Sequence, residues 1–142
     1  MSSCGPSPIH SEKLKLDGIW DYDENLISTI TVTDTLSNYD LALKMDHSSD
    51  FYFQNLYVRI ETIFPDGKKI SEPLSLQLAT SKGQWNGKCS GESCKIVFSL
   101  QDNFKFKHQG DYQFKVGQFS RDEGLKGINE IELLLFEAAS KE

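Results

Sequence analysis

Cys89 and Cys94 bracket the run Cys-Ser-Gly-Glu-Ser-Cys. The residues between them, with Gly91 in the middle, let the chain reverse and bring the two Cα atoms to the ~5.5 Å that a disulfide favours. A loop this short adds about 2 kcal/mol by the loop-entropy argument. Two free thiols in a hairpin are the competing reading. Structural zinc takes four ligands, and the chain has no second Cys pair or His pair. Redox chemistry needs Cys-x-x-Cys on a βαβ unit, also lacking. His10, His47 and His108 stand apart in sequence, outside any His-Glu-x-x-His frame. No nucleophile elbow, P-loop or dinucleotide-binding glycine pattern occurs. Asp21-Tyr22-Asp23-Glu24-Asn25 carries carboxylates for Ca²⁺ but lacks the glycine and closing glutamate of an EF-hand loop, so it reads as a solvated turn. No carboxylate pair stands out as a glycosidase dyad. The expectation is a protein that is not an enzyme and uses no metal or cofactor.

The aromatic residues offer binding chemistry instead. Trp85 lies in the glycine-rich stretch Ser81-Lys82-Gly83-Gln84-Trp85-Asn86-Gly87-Lys88, and Phe51-Tyr52-Phe53 forms a second cluster. Either, or Trp20 with Tyr22, could present ring faces to a glycan or a protein. Large aromatics also close the ends of β-sandwich cores because they bury so much area. That second reading is favoured for Trp20 and for Phe51 to Phe53, while Trp85 is balanced between the two. Trp20 is expected to be largely buried, and Trp85 to pack at least one ring face on the fold.

Cys4 follows Ser2-Ser3 and precedes Gly5-Pro6-Ser7-Pro8. Small residues before a cysteine and a flexible linker after it resemble the end of a bacterial lipoprotein signal, in which the cysteine becomes the lipidated first residue. Met1 stands where that motif usually has Leu, and the basic and apolar parts of a signal are not in the sequence, which is therefore expected to begin just inside one. Acyl chains at ~0.8 kcal/mol per buried CH₂ would hold the domain on a membrane surface. Residues 1–12 are expected to be the lipoprotein N-terminus and a flexible tether. Read as polyproline-like, residues 5–11 reach roughly 20 Å at ~3.1 Å each.

These residues need a scaffold, and the chain encodes one. Its 142 residues suit a single domain. With 38% hydrophobic and 25% charged residues, a packed core is attainable. A formal net charge of -6 argues against a nucleic-acid partner, which needs a basic face. No apolar run approaches the roughly 20 residues of a spanning helix. Strict alternation dominates. Tyr39, Leu41, Leu43 and Met45 alternate with Asp40, Ala42, Lys44 and Asp46. Leu56, Val58 and Ile60 oppose Tyr57, Arg59 and Glu61. Leu74 and Leu76, Ile96 and Phe98, Tyr112 and Phe114, and Ile131 and Leu133 repeat the pattern. Pro65-Asp66-Gly67 is a turn. About eight strands are predicted, with a short helical turn around Arg121 to Leu125 or in the tail Glu137 to Glu142. The expected fold is all-β, an antiparallel β-sandwich of jelly-roll or immunoglobulin-like type in one domain, residues 13–138, with a tail at 139–142. Leu41, Leu43, Leu56, Val58, Ile60, Leu76, Phe98, Tyr112, Phe114 and Leu133 are its predicted core.

Several weak motifs then fall in a recognisable order. Gly18-Ile19-Trp20 comes first, then Tyr39-Asp40-Leu41, Phe53-Gln54-Asn55-Leu56-Tyr57 and Pro65-Asp66-Gly67. Leu78-Ala79, Gly83-Gln84-Trp85-Asn86-Gly87 and Gly110-Asp111-Tyr112-Gln113-Phe114 follow. Gln118 and Arg121 precede Leu125-Lys126-Gly127-Ile128-Asn129-Glu130-Ile131. This order resembles the gliding motility lipoproteins of the GldH type, found in Bacteroidetes, over roughly residues 14 to 137. The resemblance implies a lipid anchor, which fits Cys4. It also implies association with envelope proteins of the gliding apparatus, no catalytic residues, and a place in the cell envelope facing an oxidising compartment, where Cys89 and Cys94 can pair. Trp85, Gly87, Phe51, Tyr52, Phe53 and Arg121 are the candidate interaction surface. A lipid-anchored carbohydrate-binding module, with a glycan at Trp85 or at Phe51 to Phe53, is the alternative.

Overall fold

Two antiparallel sheets face each other in a computed structural model that describes residues 7–120 and 123–138. In chain order the strands are β1 (His10–Lys15), β2 (Ile19–Asp21), β3 (Leu26–Val32), β4 (Tyr39–Ser48), β5 (Asn55–Ile63), β6 (Lys69–Gln77), β7 (Lys88–Ser90), β8 (Ser93–Phe104), β9 (Gly110–Gln118), β10 (Gly124–Lys126) and β11 (Ile128–Glu137). One sheet runs β1-β11-β4-β8-β7 and the other β3-β9-β5-β6, with a small β10-β2 ribbon. The expected all-β sandwich is the observed architecture.

Alternation dictates the packing, because residues two apart share a face. Leu41, Leu43 and Met45 of β4 lie in register with Leu135, Leu133 and Ile131 of β11, and all six are buried. Leu26, Val58, Tyr112, Phe114 and Val116 fill the facing layer. Of the predicted core, Ile60 and Phe98 are only half-buried and pack at its margin. Leu134, on the outer parity of β11, is 8% exposed with Ala42 as its register partner. Charged residues flank that pair in rows such as Lys13, Glu132 and Lys44, and long side chains of this kind cover apolar neighbours with their stems.

Three expectations change. The helical turn expected near 121–125 gives way in its described part to a strand: Gly124–Lys126 is β10, paired to β2, while Arg121 and Asp122 lie outside the described residues. A three-residue ribbon is held by its partner and carries no periodicity of its own. Residues 10–12 belong to β1, paired along the edge of β11, and the Ile9 N–H donates to the Leu135 carbonyl, so these residues are part of the sheet and not of a tether running to residue 12. The eleven strands among the described residues exceed the expected eight or so, because β1, β2, β7 and β10 are too short or too exposed to alternate visibly.

Aromatic residues close both ends of the barrel-like space. At one end Tyr39, Phe104, Phe106, Phe64 and Tyr112 stack with ring centroids 4.8 to 6.3 Å apart. The loop leading into that end is shaped by Asp34, which accepts from the Ser37 hydroxyl at 2.6 Å and from the Leu36 and Ser37 N–H groups. The Ser37 hydroxyl first, and the two backbone donors with it, hold the Asp34 carboxyl below the usual carboxylate range. A depressed carboxylate stabilises the fold above its unfolded value, and that contribution is lost as pH falls through the lowered one. An amide-exchange series on the 34–38 loop should therefore show protection at neutral pH that fades only in acid, and Asp34→Asn should abolish the dependence.

Candidate functional site

At the other end of β4 lies His47, fully buried and in register with Cys94 of β8. Its Nδ1 is 2.9 Å from the Ser48 carbonyl, and its Nε2 has no hydrogen-bond partner among the described residues. Trp85 leans on it, ring centroids 4.6 Å apart, and Phe51 approaches from another side at 6.0 Å. The Trp85 loop is anchored by an isolated bridge from Ala79 to Trp85 and by the Asn86 N–H donating to the Leu78 carbonyl at 2.8 Å. The indole N–H donates to the Ser49 carbonyl at 3.2 Å. Trp85 is thus half-buried with one ring face packed, as expected. Trp20 is fully buried, and its N–H donates to the Glu24 carbonyl at 2.7 Å.

The predicted surface residues separate. Phe51 is buried, Phe53 is partly covered, and Tyr52 is 88% exposed. Phe51 is therefore part of the core and not of a platform. Gly87 packs tightly: a Cβ there would run into the Lys95 carbonyl and come within 2.9 Å of the Ile96 Cβ. It is a close approach between backbones and offers no ligand surface. What remains exposed near Trp85 is the edge-to-face pair Tyr52–Phe53, centroids 5.3 Å apart. Cys4 and Arg121 lie outside the described residues.

Cys89 and Cys94 form a disulfide. They are direct cross-strand partners in the β7–β8 hairpin, with Cα atoms 3.9 Å apart, nearer than the expected ~5.5 Å because the pair is opposed in register. The Cys94 side is buried beside His47, so the bond ties an exposed hairpin edge to the core. A Cys89→Ser/Cys94→Ser variant is expected to lose about 2 kcal/mol and to stay folded. Urea unfolding under oxidising conditions measures this, and complete unfolding of the variant would contradict it.

A further feature was not anticipated. On the outer face of the β3-β9-β5-β6 sheet lies a groove of about 260 Å³ lined by Tyr22, Asn25, Arg59, Glu61, Lys115, Gly117 and Gln118. Gly117 forms its floor, since any Cβ there would strike the Asn25 Oδ1. The Arg59 guanidinium lies over the Phe119 ring, 4.1 Å from its centroid, and donates to the Ser71 hydroxyl at 3.1 Å. A glycine inside an otherwise alternating strand signals close approach, and Gly117 was the one available hint. No cluster of three or more potential metal ligands occurs among the described residues.

The profile of the GldH lipoprotein family matches residues 9–133. A gliding motility lipoprotein GldH homolog of Christiangramia forsetii is 28% identical over 132 residues, covering 92% of this chain and 81% of the relative. The gliding motility lipoprotein GldH of Flavobacterium johnsoniae is 23% identical over 131 residues with the same coverage, 92% and 81%. Among solved structures, a carbohydrate-binding module in complex with calcium and xylotriose aligns over 90% of this chain and 92% of its own, at 10% identity and a TM-score of 0.46.

Proposed function

The chain belongs to the GldH lipoprotein family, and we propose that it is a lipid-anchored, non-enzymatic accessory subunit of the gliding motility machinery in the bacterial cell envelope. The observation that carries this reading is the family match across the whole sandwich, residues 9–133. Cys4 is the point of lipid attachment in this reading. The first strand starts at His10, so in this reading the β1 edge lies within about 20 Å of the lipid attachment point, the reach of a fully extended chain from Cys4. A disulfide suits an oxidising compartment outside the cytoplasm.

The partner is an envelope protein, and the surface offered to it is Tyr52 with Phe53, backed by the His47–Trp85 stack. An exposed aromatic on a rigid base is the usual makeup of an interface anchor, since little freedom is lost on binding. A glycan platform at Trp85 is less well supported. His47 packs against that ring at a tilt of 55°, and Phe51 is buried.

Two variants of the full-length protein, expressed in its own host, test this. Cys4→Ser is expected to move it from the membrane fraction to the soluble fraction, with loss of the acyl mass on the Cys4 peptide. Tyr52→Ala/Phe53→Ala is expected to stay in the membrane fraction, fold normally and lose at least tenfold in co-purification with gliding proteins, as for loss of an aromatic anchor worth more than about 1.4 kcal/mol. Unmodified Cys4 in a soluble native protein refutes the anchor, and undiminished co-purification refutes the surface.

A further inference from the structure

We propose that the groove on the outer face of the four-stranded sheet binds a segment of neutral oligosaccharide. The proposal goes beyond the accessory-subunit reading and stands apart from the Tyr52–Phe53 surface. Its basis is a set of polar groups placed together and left without partners. Glu61 and Lys115 are direct cross-strand neighbours on β5 and β9, both half-buried, yet no ion pair joins them among the described residues. Opposite charges facing each other in a sheet normally meet. Lys115 in turn is in register with the exposed Ile27. The Asn25 amide, resting on Gly117, likewise has no side-chain hydrogen bond among the described residues.

The groove is held in shape from beneath and from the sides. Gln118, buried on the inner parity of β9, donates to the Trp20 carbonyl at 3.2 Å, and its side-chain oxygen accepts from the Ser120 N–H at 2.8 Å and hydroxyl at 2.6 Å. The Tyr22 hydroxyl donates to the Ser120 carbonyl at 2.5 Å, which fixes the Tyr22 ring at one wall. Across the floor, the Arg59 guanidinium rests over the Phe119 ring. A site whose side chains are already ordered loses little freedom on binding.

The chemistry selects the ligand class. Arg59 and Lys115 only donate, Glu61 only accepts, and Asn25 does both. Vicinal hydroxyls donate and accept at adjacent atoms, so they can satisfy this interleaved set. With Glu61 beside the two cations the lining keeps a single net positive charge, which in a water-filled groove favours a phosphate or uronate by only about 1 kcal/mol, and the two cations disfavour a metal ion. A peptide adding by strand pairing needs a sheet edge, whereas this groove crosses the middle strands β9 and β5. The half-exposed Tyr22 ring supplies the flat face that a sugar's C–H surface covers. The groove, about 260 Å³ and open to solvent, has room for a short saccharide segment lying across it.

The test is an amide-resolved NMR titration of the disulfide-bonded protein with cellotetraose, mannotetraose and chitotetraose, each to ~10 mM, with inorganic phosphate and tetragalacturonate as charged comparators. At least one neutral tetrasaccharide is expected to shift the Arg59, Glu61, Lys115 and Gly117 amides. Glu61→Ala should weaken that binding about tenfold, as for a lost hydrogen bond to a charged group. Gly117→Ala, which pushes Asn25 off the floor, should abolish it while the remaining spectrum stays native. No response to any neutral sugar, a response confined to the Trp85 loop, or a stronger response to either charged comparator overturns the proposal. Membrane anchoring and co-purification with gliding proteins are read separately, so this proposal and the accessory-subunit reading can fail independently.

Discussion

Trp20→Ala is expected to remove about 3–5 kcal/mol of stability, the range for a large aromatic cut to alanine in a packed core. Domains commonly have about 5–15 kcal/mol in total, so the variant should be marginal at room temperature. Three observations make the loss large. The ring is fully buried on the short ribbon strand β2, where it pairs in register with Leu125, itself buried. The indole N–H is bonded to the Glu24 carbonyl, and truncation leaves that acceptor without its donor. The Trp20 carbonyl takes the Gln118 amide, so the cavity opens beneath the groove corner as well. Trp20→Phe keeps most of the volume and should lose roughly 1–2 kcal/mol, mainly through the missing hydrogen bond. Urea midpoints at unchanged m-value measure both. A Trp20→Ala loss below about 1 kcal/mol would mean that the end of the core repacks freely.

Gly87→Ala is expected to cost about 3 kcal/mol, at the upper end for overpacking, although the residue sits in what reads as a loop. The added methyl meets the Lys95 carbonyl and the Ile96 Cβ, and neither is the far end of a flexible side chain. Relief requires the chain before β7 to lift from β8, which draws Trp85 away from His47. The variant should therefore show a red-shifted tryptophan emission together with its lower unfolding midpoint. Gly67→Ala is the comparison. Gly67 has φ of +91° and nothing within 4 Å of an added Cβ, so it carries only the backbone penalty, about 1 kcal/mol. Equal losses at the two sites would show that Gly87 is chosen for conformation and not for close approach.

Much of this molecule is legible along the chain because the information is local. Tyr39 to Met45, Leu56 to Ile60, Tyr112 to Val116 and Ile131 to Leu135 alternate with polar neighbours, and a strand with one buried face has no other stable register. From those runs the sandwich, most of its core, and the burial of Trp20 follow. Cys89 and Cys94 are close enough in sequence for their pairing to be a short-range matter as well.

Other features depend on pairing across the chain. The ribbon of β2 and β10 joins residues about a hundred positions apart, and neither strand is long enough to carry a period. Phe51 and Gly87, both candidate surface residues from the sequence, depend on pairing in the same way: a buried aromatic and a glycine pressed against β8 look like surface residues until the neighbouring strand is in place. The groove is the clearest case. Tyr22, Asn25, Arg59, Glu61, Lys115 and Gly117 come from three separate stretches and show no common motif. They meet because antiparallel pairing sets Arg59 opposite Gly117 and Glu61 opposite Lys115, and because the pleat turns all four to the same outer face. Alternation decides which face of a strand is wet, whereas only the register between strands decides which wet residues become neighbours.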